Sequence, residues 1–236
     1  MITSASNPRI RLVRRLASRR QREREGLFVC EGEDLVLAGL EAGADPVHVL
    51  VDADRPLDIE RAEPVASGLL REVSSLGHHA RVVAVFRRDD LPQAAEGGGL
   101  ALWRVADPGN VGTLLRAADA FGAGYVALSA GCADPTGAKA LRAAAGAIFR
   151  VAVIAFDAAP RPWTALATRA GTPIGEAELP AEGTLVLGAE RDGLPADIAA
   201  LCEAVVSIPQ PGGAESLNVA MAGTVGLYEW ARSRVR

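Results

Sequence analysis

Apolar and polar positions along the chain follow two periods. In residues 9–24, Ile10, Val13 and Leu16 recur at helical spacing among arginines, so the pattern predicts one amphipathic helix entered through the Asn7-Pro8 turn. The apolar run 27–30 suits a buried strand. Residues 32–43 place Leu35, Val36 and Leu40 on one helical face, and 47–51 and 81–86 are strand-like. The first ninety residues therefore predict a small α/β domain.

Alternation resumes after residue 100. Strands are expected at 100–105, 125–128, 150–154, 172–175, 184–188 and 204–208. Helices are expected at 110–121 (closed by Gly122), 136–145, 162–170, 195–201 and 217–232. Strands separated by helices imply a mostly parallel sheet with helices on both faces. Between the two patterns, residues 94–99 end in three consecutive glycines, which weaken helix and strand alike. The expected division is a domain over 1–95 and a second over 100–236.

Composition changes this picture little. Apolar residues are 49% and aromatics 4%, so the core must be built from Ala, Val and Leu. No apolar run approaches the roughly 18 residues of a membrane span, and residues 1–15 lack the apolar centre of a secretory signal. A cytoplasmic protein is expected. Cys30, Cys132 and Cys202 are too widely spaced for a zinc or redox motif, and His48, His78 and His79 form no ligand set, so no metal is expected.

Charge changes it more. The chain carries a net −4, yet residues 1–26 hold eight arginines against Glu23 and Glu25, a local +6, leaving −10 on the other 210 residues. A basic arm on an acidic body suits a protein that grips phosphates with one part only, although a salt-bridged surface helix has the same composition. Arg9, Arg11, Arg14, Arg15, Arg19, Arg20 and Arg22 are the candidate RNA contacts.

Three segments, each after an expected strand, carry candidate chemistry. In 107–122, Pro108-Gly109 makes a turn, Asn110 is placed to cap a helix, and Arg116 follows nearly two turns later. In 185–195, Gly188 lets backbone approach a ligand and Glu190 puts a carboxylate at the same edge. In 208–220, a Pro/Gly loop leads through Ser216, a candidate cap, into a helix whose free N–H groups could meet a ligand. Each alone also reads as an ordinary turn, loop or cap. No G-x-G-x-x-G follows a strand, which argues against a nicotinamide or flavin site, and there is no P-loop.

Together, in this order and spacing, the three segments resemble the signature motifs of the SpoU/TrmH (SPOUT class) RNA 2′-O-ribose methyltransferases over roughly residues 100–236. Thr3-Ser4, Asn7-Pro8, the arginine-rich helix and 27–32 are similar to the substrate-binding domain of the family's rRNA-modifying members. That domain resembles a small ribosomal RNA-binding protein. Ala189 stands where many relatives have Asn, and Gln210 where Met is frequent.

The resemblance implies a deep trefoil knot that binds S-adenosylmethionine, and a homodimer that meets RNA with both subunits. It implies a cofactor site of Leu187, Gly188, Ile208, Pro209, Ser216 and Leu217. It also implies a catalytic group of Asn110, Arg116, Glu190, Ser216 and Asn218. The expected reaction is methyl transfer to a ribose 2′-hydroxyl, with 23S rRNA as substrate. A tRNA substrate, a drug-resistance role, and a catalytically silent RNA-binding protein on the same scaffold remain alternatives.

Overall fold

In the computed structural model, residues 1–74, 80–93, 97–213 and 215–234 are described. His78, His79 and the linker residues 94–96 lie outside them.

The N-terminal half runs α1 (Pro8–Leu16), α2 (Arg19–Glu25), β1 (Leu27–Glu31), α3 (Glu33–Glu41), β2 (His48–Asp52), β3 (Ala62–Val65), α4 (Ser67–Val73) and β4 (Val82–Arg87). Its sheet has the order β1-β4-β2-β3, with β4 antiparallel to both β1 and β2. The continuous apolar run 82–86 reflects this pairing, since β4 is buried between two neighbours.

The single helix expected over 9–24 is two helices. Asn7 accepts from the Arg9 N–H and Pro8 starts α1, whose Ile10, Val13 and Leu16 are buried. The chain then breaks at Ser18, which is extended. The cause is Arg22. Its Nη1 donates to the Leu16 and Ala17 carbonyls at 2.8 Å each, satisfying the end of α1 in place of another helical turn.

The second half runs β5 (Gly99–Leu102), α5 (Pro108–Ala120), β6 (Tyr125–Leu128), α6 (Ala138–Ala144), β7 (Ala152–Ala155), β8 (Trp163–Ala167), β9 (Thr172–Pro173), β10 (Thr184–Leu187), α7 (Ala196–Ala199), β11 (Ala204–Ser207) and α8 (Val219–Arg234). Seven parallel strands lie in the order β7-β6-β5-β10-β8-β11-β9.

The helix expected over 162–170 is the strand β8, paired on both sides, with β10 and β11. A short Ala/Leu run has no period that separates a buried strand from a helix, and the two open ladders of its neighbours decide the matter.

Close packing fixes the layers. A Cβ on Gly112 would lie 2.2 Å from the Ala140 carbonyl oxygen, so glycine is what lets α5 lie on α6. A Cβ on Gly223 would meet the Leu114 side chain at 2.3 Å, which brings α8 onto α5. Two of the three expected linker glycines are also tightly packed. Gly98 faces the Trp230 ring, and a Cβ on Gly99 would lie 2.5 Å from the Tyr125 carbonyl oxygen.

One apolar cluster runs through both halves. At their junction Phe28 and Phe86 of the first sheet pack on Phe149, with ring centroids 5.1–6.0 Å apart. Each such buried ring or aliphatic side chain contributes about 1.5–3 kcal/mol.

Among the described residues no helix is long and apolar enough to cross a membrane.

Candidate functional site

The three motif segments meet at the C-terminal ends of β5, β10 and β11. Such strand ends are where open α/β sheets bind ligands. Asp107, not Asn110, caps α5, accepting from the Gly109 N–H (2.6 Å) and the Asn110 N–H (3.2 Å). Pro108 takes the first helical position, which leaves Asn110 inside the first turn with its amide free to project. The Lys139 ammonium lies 2.8 Å from Asp107 Oδ2, and this contact together with the helix amides holds the Asp107 carboxyl below its ordinary range.

Asn110 uses both ends of its amide. Its Nδ2 donates to Glu190 Oε1 at 3.1 Å, and its Oδ1 accepts from Asn218 Nδ2 at 3.2 Å. Glu190 also accepts from the Ala106 and Asp107 N–H groups. Burial raises the Glu190 pKa, but the bonds from Asn110 and the backbone outweigh it, so the carboxylate is held ionised below its usual range. Asn218, not Ser216, caps α8, its Oδ1 accepting from the Ala220 and Met221 N–H groups. One hydrogen-bonded chain, Asn218–Asn110–Glu190, thus joins one residue from each segment.

Beside this chain lies a cavity of about 670 Å³. Leu166, Leu187, Ile208 and Leu217 give it apolar walls, and Glu190 and Asn218 supply polar atoms. Gly188 lines it where the strand turns back on Gly193. The Ala189 and Gly193 backbones bond each other, and a Cβ on Gly188 would lie 2.1 Å from the Gly193 carbonyl carbon. Gln210 also lines the cavity. Its Nε2 donates to the Thr168 carbonyl at 3.3 Å, while its buried Oε1 has no partner. An apolar slot with an amide at its wall suits an adenine ring bearing an exocyclic amine.

Of the expected cofactor residues, Leu187, Gly188, Ile208, Ser216 and Leu217 line this cavity, whereas Pro209 is exposed and outside its lining. Leu166 and Thr168 were missed because β8 reads as a helix in sequence. Gln210 was noted only as a departure, and its polarity inside an apolar loop was the available signal. Arg116 is exposed on α5, lines neither this cavity nor its neighbour, and has no side-chain partner among the described residues.

The basic arm is less free than its charge suggests. Arg9, Arg14, Arg15 and Arg19 pair with Glu63, Glu72, Glu25 and Glu23. Arg22, expected among the RNA contacts, is buried and turned inward. Its side chain is 8% exposed and bonds Asp134 through Nε and Nη2 at 3.0 and 2.7 Å. Arg11 and Arg20 remain exposed without an acceptor among the described residues.

Among the described residues no group of three or more His, Cys, Asp or Glu could hold a metal.

Residues 99–228 match the family model of the SpoU rRNA Methylase family, and residues 7–88 match that of the MRM3-like substrate binding domain. The chain is 31% identical to an uncharacterized tRNA/rRNA methyltransferase of Synechocystis sp., covering 99% of this chain and 94% of that protein. It is 29% identical to the 23S rRNA (guanosine(2553)-2′-O)-methyltransferase RlmP of Bacillus subtilis, covering 96% and 97%. The crystal structure of the SpoU methyltransferase AviRb from Streptomyces viridochromogenes in complex with AdoMet superposes with a TM-score of 0.85 at 26% identity, covering 97% of this chain and 98% of that one.

Proposed function

This chain belongs to the SpoU rRNA methylase family, and from that we propose that it transfers the methyl group of S-adenosylmethionine to a ribose 2′-hydroxyl of 23S rRNA in the cytoplasm. The observation that carries this is the Asn218–Asn110–Glu190 chain beside a cavity of about 670 Å³. Residues 1–95 act as the RNA substrate-binding domain and 100–236 as the methyltransferase domain. The segments 208–213 and 215–218, with α8, form the threaded part of the trefoil knot.

Leu187, Gly188, Ile208, Ser216 and Leu217, which line the cavity, would hold the cofactor, which when bound would supply an electrophilic methyl on sulfur. The chain's own residues do the rest. Glu190, ionised and held by Asn110, fixes the position of the Asn110 amide, and Asn218 fixes it from the other side. This rigid set orients the ribose for in-line attack.

A 2′-hydroxyl must lose its proton as it attacks; the proton passes to solvent water, and the bond from oxygen to the methyl carbon forms as that carbon's bond to sulfur breaks. Arg116 is not the base, because a guanidinium keeps its proton at any physiological pH. It stabilises the developing alkoxide and grips the adjacent phosphate.

Two subunits pair through α8, whose Met221, Val225 and Tyr228 are 60%, 37% and 51% exposed on one helical stripe.

The test is transfer of labelled methyl from S-adenosylmethionine to rRNA and tRNA fractions. Label in rRNA that makes the adjacent linkage alkali-resistant is the expected result. Arg116→Ala should abolish transfer and keep cofactor affinity. Label confined to tRNA, or none with cofactor bound, would overturn the rRNA reading.

A further inference from the structure

A second cavity, of about 700 Å³, adjoins the first, and residues 189–193 line both. Its other walls include Trp103, Arg104, Asp107, Gly131 and Pro195. We propose that this second cavity is a subsite for an RNA nucleotide flanking the methylated one, and that Arg104 binds its phosphate. This rests on the proposed methyl transfer to RNA. The cofactor fills one side of the Glu190 turn, so the polymer that brings the hydroxyl must pass along an adjoining surface, and every flanking nucleotide carries a phosphate.

The charges leave Arg104 available. Asp107 is committed to Lys139 and the α5 amides, and Glu190 to Asn110 and two backbone N–H groups. Asp192 stands exposed at the rim beside Arg191. The exposed Arg104 side chain has no acceptor among the described residues.

Its backbone is unusual as well. Arg104 has φ +52°, a left-handed conformation that favours glycine, yet an arginine occupies it. The Arg104 N–H donates to Ser129 Oγ at 2.8 Å, and its stem lies beside Gly131. A long cation is thereby held at a position where a smaller residue would be the conformational choice.

The buttress also links the subsite to the RNA-binding half. Ser129 and Gly131 belong to the loop 129–137 between β6 and α6. From the N-terminal half, Arg22 holds that loop at Asp134, Arg19 Nη1 donates to the Cys132 carbonyl at 3.2 Å, and Arg88 Nη2 donates to Asp134 and to Thr136 Oγ1. RNA gripped by Arg11 and Arg20 on α1 and α2 is thus held by a body rigidly joined to the wall of the second cavity.

The test is filter binding of transcribed 23S rRNA by the full chain across a KCl series. Arg104→Gly relieves the left-handed backbone, so its melting temperature should hold or rise, and its cofactor affinity should match wild type. Its RNA affinity should fall about three- to tenfold at low salt. The slope of log Kd against log salt should shrink by roughly 0.7–0.9, the signature of one lost phosphate contact. Arg104→Lys should restore the slope.

An Arg104→Gly protein with wild-type affinity and slope would overturn the inference, as would a changed cofactor Kd. Methyl transfer by wild type to the same RNA reports separately on the proposed function. If wild type neither binds nor methylates the RNA, the function falls and the subsite with it.

Discussion

Single side chains at the site do separable jobs. Asn110 is the middle of a chain whose ends come from residues 80 and 108 positions away. Asn110→Ala should lower methyl transfer by at least about 100-fold, the scale of a lost orienting or electrostatic contact, with cofactor Kd nearly unchanged by calorimetry. An unchanged rate would remove Asn110 from the site.

Gly188→Ala should act the other way. Its Cβ has no room against Gly193, so the turn must open, and cofactor Kd should rise about tenfold or more, equivalent to about 1.4 kcal/mol. Gln210→Leu should cost about 1 kcal/mol of cofactor binding, the worth of one hydrogen bond. A cofactor analogue with oxygen in place of the adenine amine should bind wild type and this variant alike. A wild-type preference for the amine that survives in Gln210→Leu would show another acceptor.

Among elements, the loop 129–137 and helix α2 depend on one buried ion pair. Asp134 accepts from Arg22, Arg88 and both Thr136 donors, and its side chain is 7% exposed. Burial raises its pKa, but these bonds outweigh burial and hold its carboxyl below the ordinary range. Removing one partner strands the other's charge, so Asp134→Ala should cost about 3–5 kcal/mol in urea unfolding at pH 7. A folded pKa below the unfolded one contributes stability above the ordinary carboxylate range. That contribution is lost as pH falls through the depressed value, below about pH 4. The stability gap between wild type and Asp134→Asn should therefore narrow on acidification. A gap independent of pH would mean that the Asp134 charge contributes nothing to stability.

As a whole, the molecule is two sheets sharing one core, with charge redistributed by folding. Four of the eight arginines of residues 1–26 pair with glutamates, of which Glu23 and Glu25 are already counted in the +6 and Glu63 and Glu72 come from later in the chain, yet exposed pairs of this kind are weak, about 0–1 kcal/mol, and phosphate can exchange for the carboxylate. The apolar stripe of α8 is left exposed by the described residues, with the Tyr228 ring edge-on to Phe121 at 6.1 Å. Val225→Glu with Tyr228→Glu should convert a dimer to a monomer in sedimentation velocity. A monomeric wild type would end the dimer reading.

Much of this was legible in the chain. Helix periods, the Asn7-Pro8 and Gly122 boundaries, and the composition and order of the three motif segments are local properties, set within about ten residues by sterics and backbone hydrogen bonding. Which residue caps a helix was not, because Asp107 against Asn110, or Asn218 against Ser216, turns on a shift of two or three residues in where the helix begins. Nor was the strand at 163–167, whose identity comes from the β10 and β11 ladders on either side. Burial of Arg22 depends on a carboxylate 112 residues away, and the Asn218–Asn110–Glu190 chain on three strand ends brought side by side. Local physics encodes the pieces and their chemistry. Partners far apart in sequence meet only when the sheet is assembled, so pairing, burial and the geometry of the site belong to the fold.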